Sequence, residues 1–154
     1  MIRVVLTVFV ALALLTASMP AVETARVTTT TDRLGAEADG LERAIGALVA
    51  ESTPVDDPAM AARTTVLVRV PSGFTAAAVE RVALVETPDR PGDVALAYRI
   101  DDRPEHVLRI GTGPARADVH LVDAPIELRP GGVSRIRVRY VDDDGPTVRI
   151  GRGG

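Results

Sequence analysis

From Val4 to Val22 the chain carries no charged residue, a run of 19 that includes Leu6, Phe9, Leu12, Leu14 and Leu15. Wound as a helix, such a run is about 28 Å long, close to the hydrocarbon thickness of a bilayer. A segment of this kind has two fates: it stays as a transmembrane anchor, or it is a signal peptide with Arg3 as its basic start and Val4–Ala17 as its apolar stretch. The residues at the expected cut favour retention. Signal peptidase needs small side chains one and three residues before the cut, yet a cut after Ala21 puts Met19 at the outer position and a cut after Ala17 puts Leu15 there. Only a cut after Ser18, with Thr16 at the outer position, satisfies the requirement. Arg3 and the amino group place the N-terminus in the cytoplasm and the rest outside, although Arg26 and Arg33 on the far flank pull the other way. The expectation is a single-pass cell-membrane protein with an extracellular C-terminal domain.

Behind the apolar run a second pattern begins. Val27, Leu34, Leu41 and Leu48 are each seven residues apart, and Ala38 and Ile45 join them one turn on. Residues at this spacing lie almost on one line of a helix, so they form a narrow apolar seam, with Glu37, Asp39, Glu42, Arg43 and Glu51 on the other faces. Gly35, Gly40 and Gly46 each cost about 1 kcal/mol against alanine in a helix interior, so the helix needs something to pack on. That support is either the chain's own C-terminal half, a partner helix or a second copy of the chain. Glu51-Ser52-Thr53-Pro54 ends the helix, because proline lacks the amide donor and disfavours helix in the residue before it. Anchor and seam together would make a rod of about 75 Å, with Pro20 as the place for a bend.

The remaining residues read as β structure. Residues 53–63, with Pro54, Asp56, Asp57 and Pro58, form a linker, and short β-branched runs punctuated by Pro, Gly and Asp follow. Strands are expected over Thr64–Val70, Val79–Glu86, Asp93–Asp101, His106–Ile110, Asp118–Val122, Pro125–Leu128, Ser134–Val141 and Thr147–Gly151. Thr75–Arg81 could instead be a short helix. In "SRIRVRYV" Ile136, Val138 and Tyr140 alternate with Arg135, Arg137 and Arg139, which sends the first set into a core and the arginines outward. "DDDGP" then leads into Val148 and Ile150, the pattern of a terminal hairpin. The fold class is therefore an N-terminal transmembrane or extended α-helix followed by a small all-β, sandwich-like domain. Its parts are an anchor over 1–22, a helical stalk over 23–52, the linker, and the β domain over 64–154.

Composition narrows the chemistry. With no cysteine, the chain has no disulfide, thiolate metal site, cysteine nucleophile or lipid-modified cysteine. Phe9, Phe74, Tyr98 and Tyr140 are its only aromatics, too few for base-stacking platforms, and a net charge of −3 argues against nucleic acid as a partner. Lys, Asn and Gln are absent and Asp outnumbers Glu, a bias that fits a GC-rich genome and a salt-rich cytoplasm.

Four groups of residues remain to be weighed. Asp142, Asp143 and Asp144 have the charge for a hard cation but not the alternate spacing of a calcium loop, and they fit a solvated turn. Asp118 and His120 lie on one side of a strand and lack a third ligand, so no metal site is assigned. Ser18, Ser52, Ser72 and Ser134 lie outside any G-x-S-x-G elbow, and Gly111–Arg116 lacks the spacing of a phosphate or dinucleotide loop and reads as a turn. The expectation is a protein that is not an enzyme, with no cofactor and no small-molecule substrate. The candidate interaction residues are Arg135, Arg137, Arg139 and Arg149, which can grip an acidic surface or simply guard an exposed strand.

The order of parts resembles type IV pilin-like proteins, in which a hydrophobic helix crosses the membrane and its second half packs on a small β domain. "MIRVVLTVFVALALLTASMPAVETAR", "VLVRVPSGFTAAAVERVAL" and "ALAYRID" are similar to an uncharacterised family of haloarchaeal membrane-anchored proteins encoded beside type IV pilus-like secretion ATPases. The resemblance implies protein partners in a pilus-like or secretion assembly. Pilins are processed at a charged, glycine-containing motif before the hydrophobic stretch, and only Met1, Ile2 and Arg3 precede it here, so the resemblance implies an accessory component rather than a major subunit. The alternative reading is a secreted or surface module, released by signal cleavage, that holds an acidic ligand on its arginine face.

Overall fold

The computed structural model describes residues 2–111 and 117–154; of the turn expected at Gly111–Arg116, Thr112–Arg116 lie outside the described residues. It opens with one helix, α1 (Ile2–Glu51), which contains both the apolar run and the seam. Pro20 lies inside this helix. Side chains from Val4 to Val22 are all exposed, and no part of the β domain covers them. The hydroxyls of Thr16, Ser18 and Thr24 are satisfied within the helix. Thr16 Oγ1 donates to the carbonyls of Leu12 and Ala13 at 3.0 Å, Ser18 Oγ to Leu15 at 3.0 Å, and Thr24 Oγ1 to Pro20 at 2.9 Å. Such internal pairing is what a water-free surrounding demands of polar groups. The helix is thus long and apolar enough to cross a membrane, and a single apolar helix leading into a β domain fits a membrane-anchored protein.

Eight strands follow: β1 (Ala62–Arg69), β2 (Val79–Glu86), β3 (Val94–Ile100), β4 (His106–Ile110), β5 (Asp118–Leu121), β6 (Ile126–Glu127), β7 (Val133–Asp142) and β8 (Pro146–Arg152). They form two four-stranded sheets, ordered β1-β7-β8-β5 and β4-β3-β2-β6. All described pairings are antiparallel except that of β5 with β8. Ile136, Val138, Tyr140, Val148 and Ile150 from one sheet meet Val82, Leu84, Leu96, Tyr98 and Ile100 from the other in a single aliphatic core. The strands lie close to the spans expected from sequence. β1 starts inside the expected linker, since Ala62 and Arg63 already pair with Tyr140 and Arg139. The short helix considered at Thr75–Arg81 does not form: Ala76 N donates to the Gly73 carbonyl in a turn, and β2 takes over at Val79, whose side chain joins the core.

In the two sheet orders β1 and β4 are both edge strands, and α1 packs against both of them and against β7. The helix therefore closes one open side of the sandwich. Leu34, Leu41 and Ile45 are 0%, 1% and 0% exposed and sit with Ala38 in the same core as the sheets, while Val27, Leu48 and Val49 are partly buried at its margin. Burying each large side chain contributes roughly 1.5–3 kcal/mol, which outweighs the cost of the three helix glycines. Helix side chains also serve the sheet edges. Arg69 N at the end of β1 donates to Glu37 Oε2 at 2.9 Å, and Gly111 N just after β4 donates to Glu42 Oε2 at 3.4 Å. An edge covered and hydrogen-bonded in this way is no longer a template for strand addition.

A third bond is buried. Ala77 N, in the loop before β2, donates to Thr30 Oγ1 at 2.9 Å, and Thr30 is 0% exposed. Replacing Thr30 by Val keeps the shape but leaves that amide without its acceptor, a loss of about 1–3 kcal/mol. Thermal or denaturant unfolding is expected to show Thr30→Val destabilised by that amount and Thr30→Ser largely restored.

The opposite side is closed by loops and crossing bonds. Val119 N donates to the Gly92 carbonyl at 2.8 Å and Leu121 N to Glu86 Oε1 at 3.0 Å. Gly92 has φ +88°, and a β carbon there would stand 2.7 Å from Asp118 Oδ1, so only glycine allows β5 to come this close.

Candidate functional site

The outer face of the β1-β7-β8-β5 sheet gathers the arginines. Arg135, Arg137 and Arg139 stand on β7 and alternate with the buried Ile136, Val138 and Tyr140. The register sets Arg139 between Arg63 on β1 and Arg149 on β8, and Arg149 beside His120 on β5. One row across all four strands is therefore Arg63, Arg139, Arg149 and His120. Arg137 occupies the next row, between Thr65 and Gly151, where the small glycine leaves room beside it. Arg135 lies one row further, opposite Leu67. Arg137, Arg139 and Arg149 line a shallow hollow of about 220 Å³ with Pro58, Val122 and Asp123.

Like charges directly opposite one another on neighbouring strands destabilise a sheet. Compensation is sparse on this face. Arg149 Nη2 bonds Asp143 Oδ2, and His120 Nδ1 lies 3.6 Å from Glu86 Oε1. Among the described residues Arg63, Arg137 and Arg139 have no carboxylate partner. The other sheet is different. Arg81 Nε and Nη2 both bond Glu127 Oε1, at 3.1 and 2.7 Å, with Glu105 3.8 Å away, and Arg109 pairs with Asp93 at 3.2 Å. The hydrogen bond and charge of Glu127 hold the Arg81 guanidinium above its ordinary pKa, with Glu105 adding to the effect. Arg63 opposite Arg139, two guanidiniums without a carboxylate partner, is a local violation of what stabilises a sheet, and such violations concentrate where a surface has a task.

The cost of the row is measurable. Arg139→Thr removes the central charge and substitutes a good strand former, so it is expected to raise stability by roughly 0.2–1 kcal/mol in denaturant unfolding. Added salt is expected to stabilise the native chain more than the variant, because screening relieves the same repulsion.

The other singled-out residues go elsewhere. Asp142, Asp143 and Asp144 form the β7–β8 turn: Asp142 Oδ1 accepts from Gly145 N at 2.9 Å, and Asp144 and Gly145 take positive φ values of 58° and 145°. Asp118 packs over Gly92, and His120 turns to Glu86 rather than to Asp118. His106 stacks on Tyr98 with ring centroids 5.6 Å apart. Among the described residues no three His, Cys, Asp or Glu side chains converge as a metal site would require. Ser72 Oγ donates to the Gly131 carbonyl and Ser134 Oγ accepts from Arg129 N, so both hydroxyls serve loops. Of the seam residues, Leu34, Leu41 and Ile45 are buried against the chain's own β domain, and Val27 and Leu48 lie at the margin of that contact.

Sequence reading missed Arg63, placed in the linker, and missed the acceptors Thr30, Glu37 and Glu42. Arg63 has a signal in hindsight: Arg63, Thr65 and Leu67 alternate with Thr64, Val66 and Val68. The acceptors have none, because their partners lie 32 to 69 residues away.

No curated protein and no solved structure matches the chain. A family model does, over residues 1–153. The chain thus belongs to the family described as a domain of unknown function, DUF7311.

Proposed function

We propose that this chain is a single-pass membrane-anchored accessory or structural component of a type IV pilus-like or secretion assembly, with its β domain outside the cell and its arginine face turned to an acidic protein partner. The observation that carries the reading is the continuity of α1: the same helix supplies the exposed apolar segment and the buried core residues of the domain. A role in binding rather than catalysis agrees with this, since the row is dominated by the guanidinium groups of Arg63, Arg139 and Arg149. A photo-crosslinking residue at Arg137, introduced in the native cell, is expected to capture a partner whose touching surface is acidic. Capture that is unchanged when Arg63, Arg139 and Arg149 become Ser would contradict the assignment of this face.

The arginine row also favours a second reading, a secreted module released by signal cleavage that binds an acidic ligand. A salt-sensitive pulldown by soluble, N-terminally shortened protein from culture medium, lost when Arg135, Arg137 and Arg139 become Ser, is its expected result.

A further inference from the structure

The β1–β2 loop carries a feature that neither the core nor the arginine face uses. Phe74, the only phenylalanine outside the apolar run, sits at its tip and is 87% exposed. The loop reaches along the helix toward the apolar segment. Arg69 N is bonded at the level of Glu37 and Ala77 N at the level of Thr30, and the Arg26 guanidinium lies 4.8 Å from the centre of the Phe74 ring. From Glu37 to Arg26 is about 16 Å of helix, so the tip hangs well below the end of β1. The apolar run ends at Val22, and Arg26 stands about 6 Å further along the axis. That distance equals the depth of one interfacial layer of a bilayer, about 5–7 Å. A run only about 28 Å long has little slack for tilt against a hydrocarbon core of about 30 Å, so the height of Arg26 follows from that of Val22.

We propose that the β1–β2 loop is a second membrane contact, in which Phe74 enters the interfacial layer beside α1 while Arg26, held over its ring, meets lipid phosphate. The inference rests on the membrane-anchored reading above. An aromatic ring at this depth keeps its face apolar, and an arginine beside it keeps its head among phosphates, so the pair suits the interface better than either water or hydrocarbon. Two attachment points, a helix and a loop, would hold the β domain upright at a fixed height instead of letting it swing on α1.

The chain has no tryptophan, so single substitutions report cleanly. The test uses full-length protein in phospholipid nanodiscs, with lipids brominated either near the headgroup or near the chain ends, and three variants: Phe9→Trp in the apolar run, Phe74→Trp in the loop, and Met60→Trp at the far end of the domain, where the side chain is 78% exposed. The expected result is a blue-shifted Phe74→Trp emission that loses intensity mainly to headgroup-level bromine, with Phe9→Trp quenched by the deeper bromines and Met60→Trp unaffected. A Phe74→Trp emission that matches Met60→Trp while Phe9→Trp is quenched overturns the inference and leaves the anchor intact. If Phe9→Trp is not quenched either, the anchored reading fails and takes the inference with it. Shielding of Phe74→Trp from aqueous quenchers without any response to bromine would mean that protein covers the loop, which also overturns it.

Discussion

A chain that begins at Thr53 and so lacks α1 is expected not to fold, whereas a chain that begins at Glu23 is expected to fold and to be soluble. Both results follow from where the helix lies. Without it the core loses Leu34, Ala38, Leu41 and Ile45, and the three large side chains alone account for roughly 5–9 kcal/mol of burial. That is of the order of the whole stability of a small domain, about 5–15 kcal/mol. The edges of β1 and β4 would be uncovered at the same moment, along with the amides of Arg69 and Gly111, which turns lost stability into strand-to-strand aggregation. The chain from Glu23 keeps every one of these contacts, and the side chains it discards over Val4–Val22 are all exposed. Size-exclusion chromatography and circular dichroism distinguish the cases. A monomeric, cooperatively melting 53–154 fragment would show that the helix merely leans on a self-sufficient sandwich.

Ile45→Asp is expected to undo the same contact from within the intact chain, and Ala36→Asp is expected to do nothing of the kind. Ile45 is 0% exposed and surrounded by core side chains, so an aspartate there must either bury a carboxylate without a partner or pull the helix away from the sheets. Either outcome costs more than 4 kcal/mol, beyond the range of ordinary substitutions. Glu42, one turn earlier on the helix, already supplies an acid to that neighbourhood and makes ionisation harder still. Ala36 sits on the exposed face, and its aspartate variant tests for any general effect of charge on the helix. Denaturant unfolding in mild detergent gives the difference directly, and limited proteolysis within residues 53–61 reports whether the helix has come off the domain.

The parts legible in the sequence are those set by local period. The apolar run showed itself through its length, the seam through its seven-residue spacing, and β7 through strict alternation of Arg135, Arg137 and Arg139 with Ile136, Val138 and Tyr140. Period says which face of an element is buried but not against what. The seam was therefore readable as a seam, while its place between β1 and β4 depends on a strand order that pairs the first strand with the seventh. The arginine site was partly readable for the same reason. Alternation sends Arg135, Arg137 and Arg139 outward, yet only the register brings Arg63 and His120 into line with Arg139 and Arg149. His120, weighed with Asp118 in the sequence without a metal site being assigned, lies beside Glu86, a carboxylate 34 residues earlier at the end of β2 in the other sheet.

The account stands on one helix being both membrane anchor and structural part of the domain, and the intact mass of the protein isolated from its native membranes tests this most directly. The prediction is a mass that includes the apolar run, in protein that stays with the membrane through high-salt and alkaline washing. A mature N-terminus near Met19 or Val22, or release of the protein by washing, would contradict it.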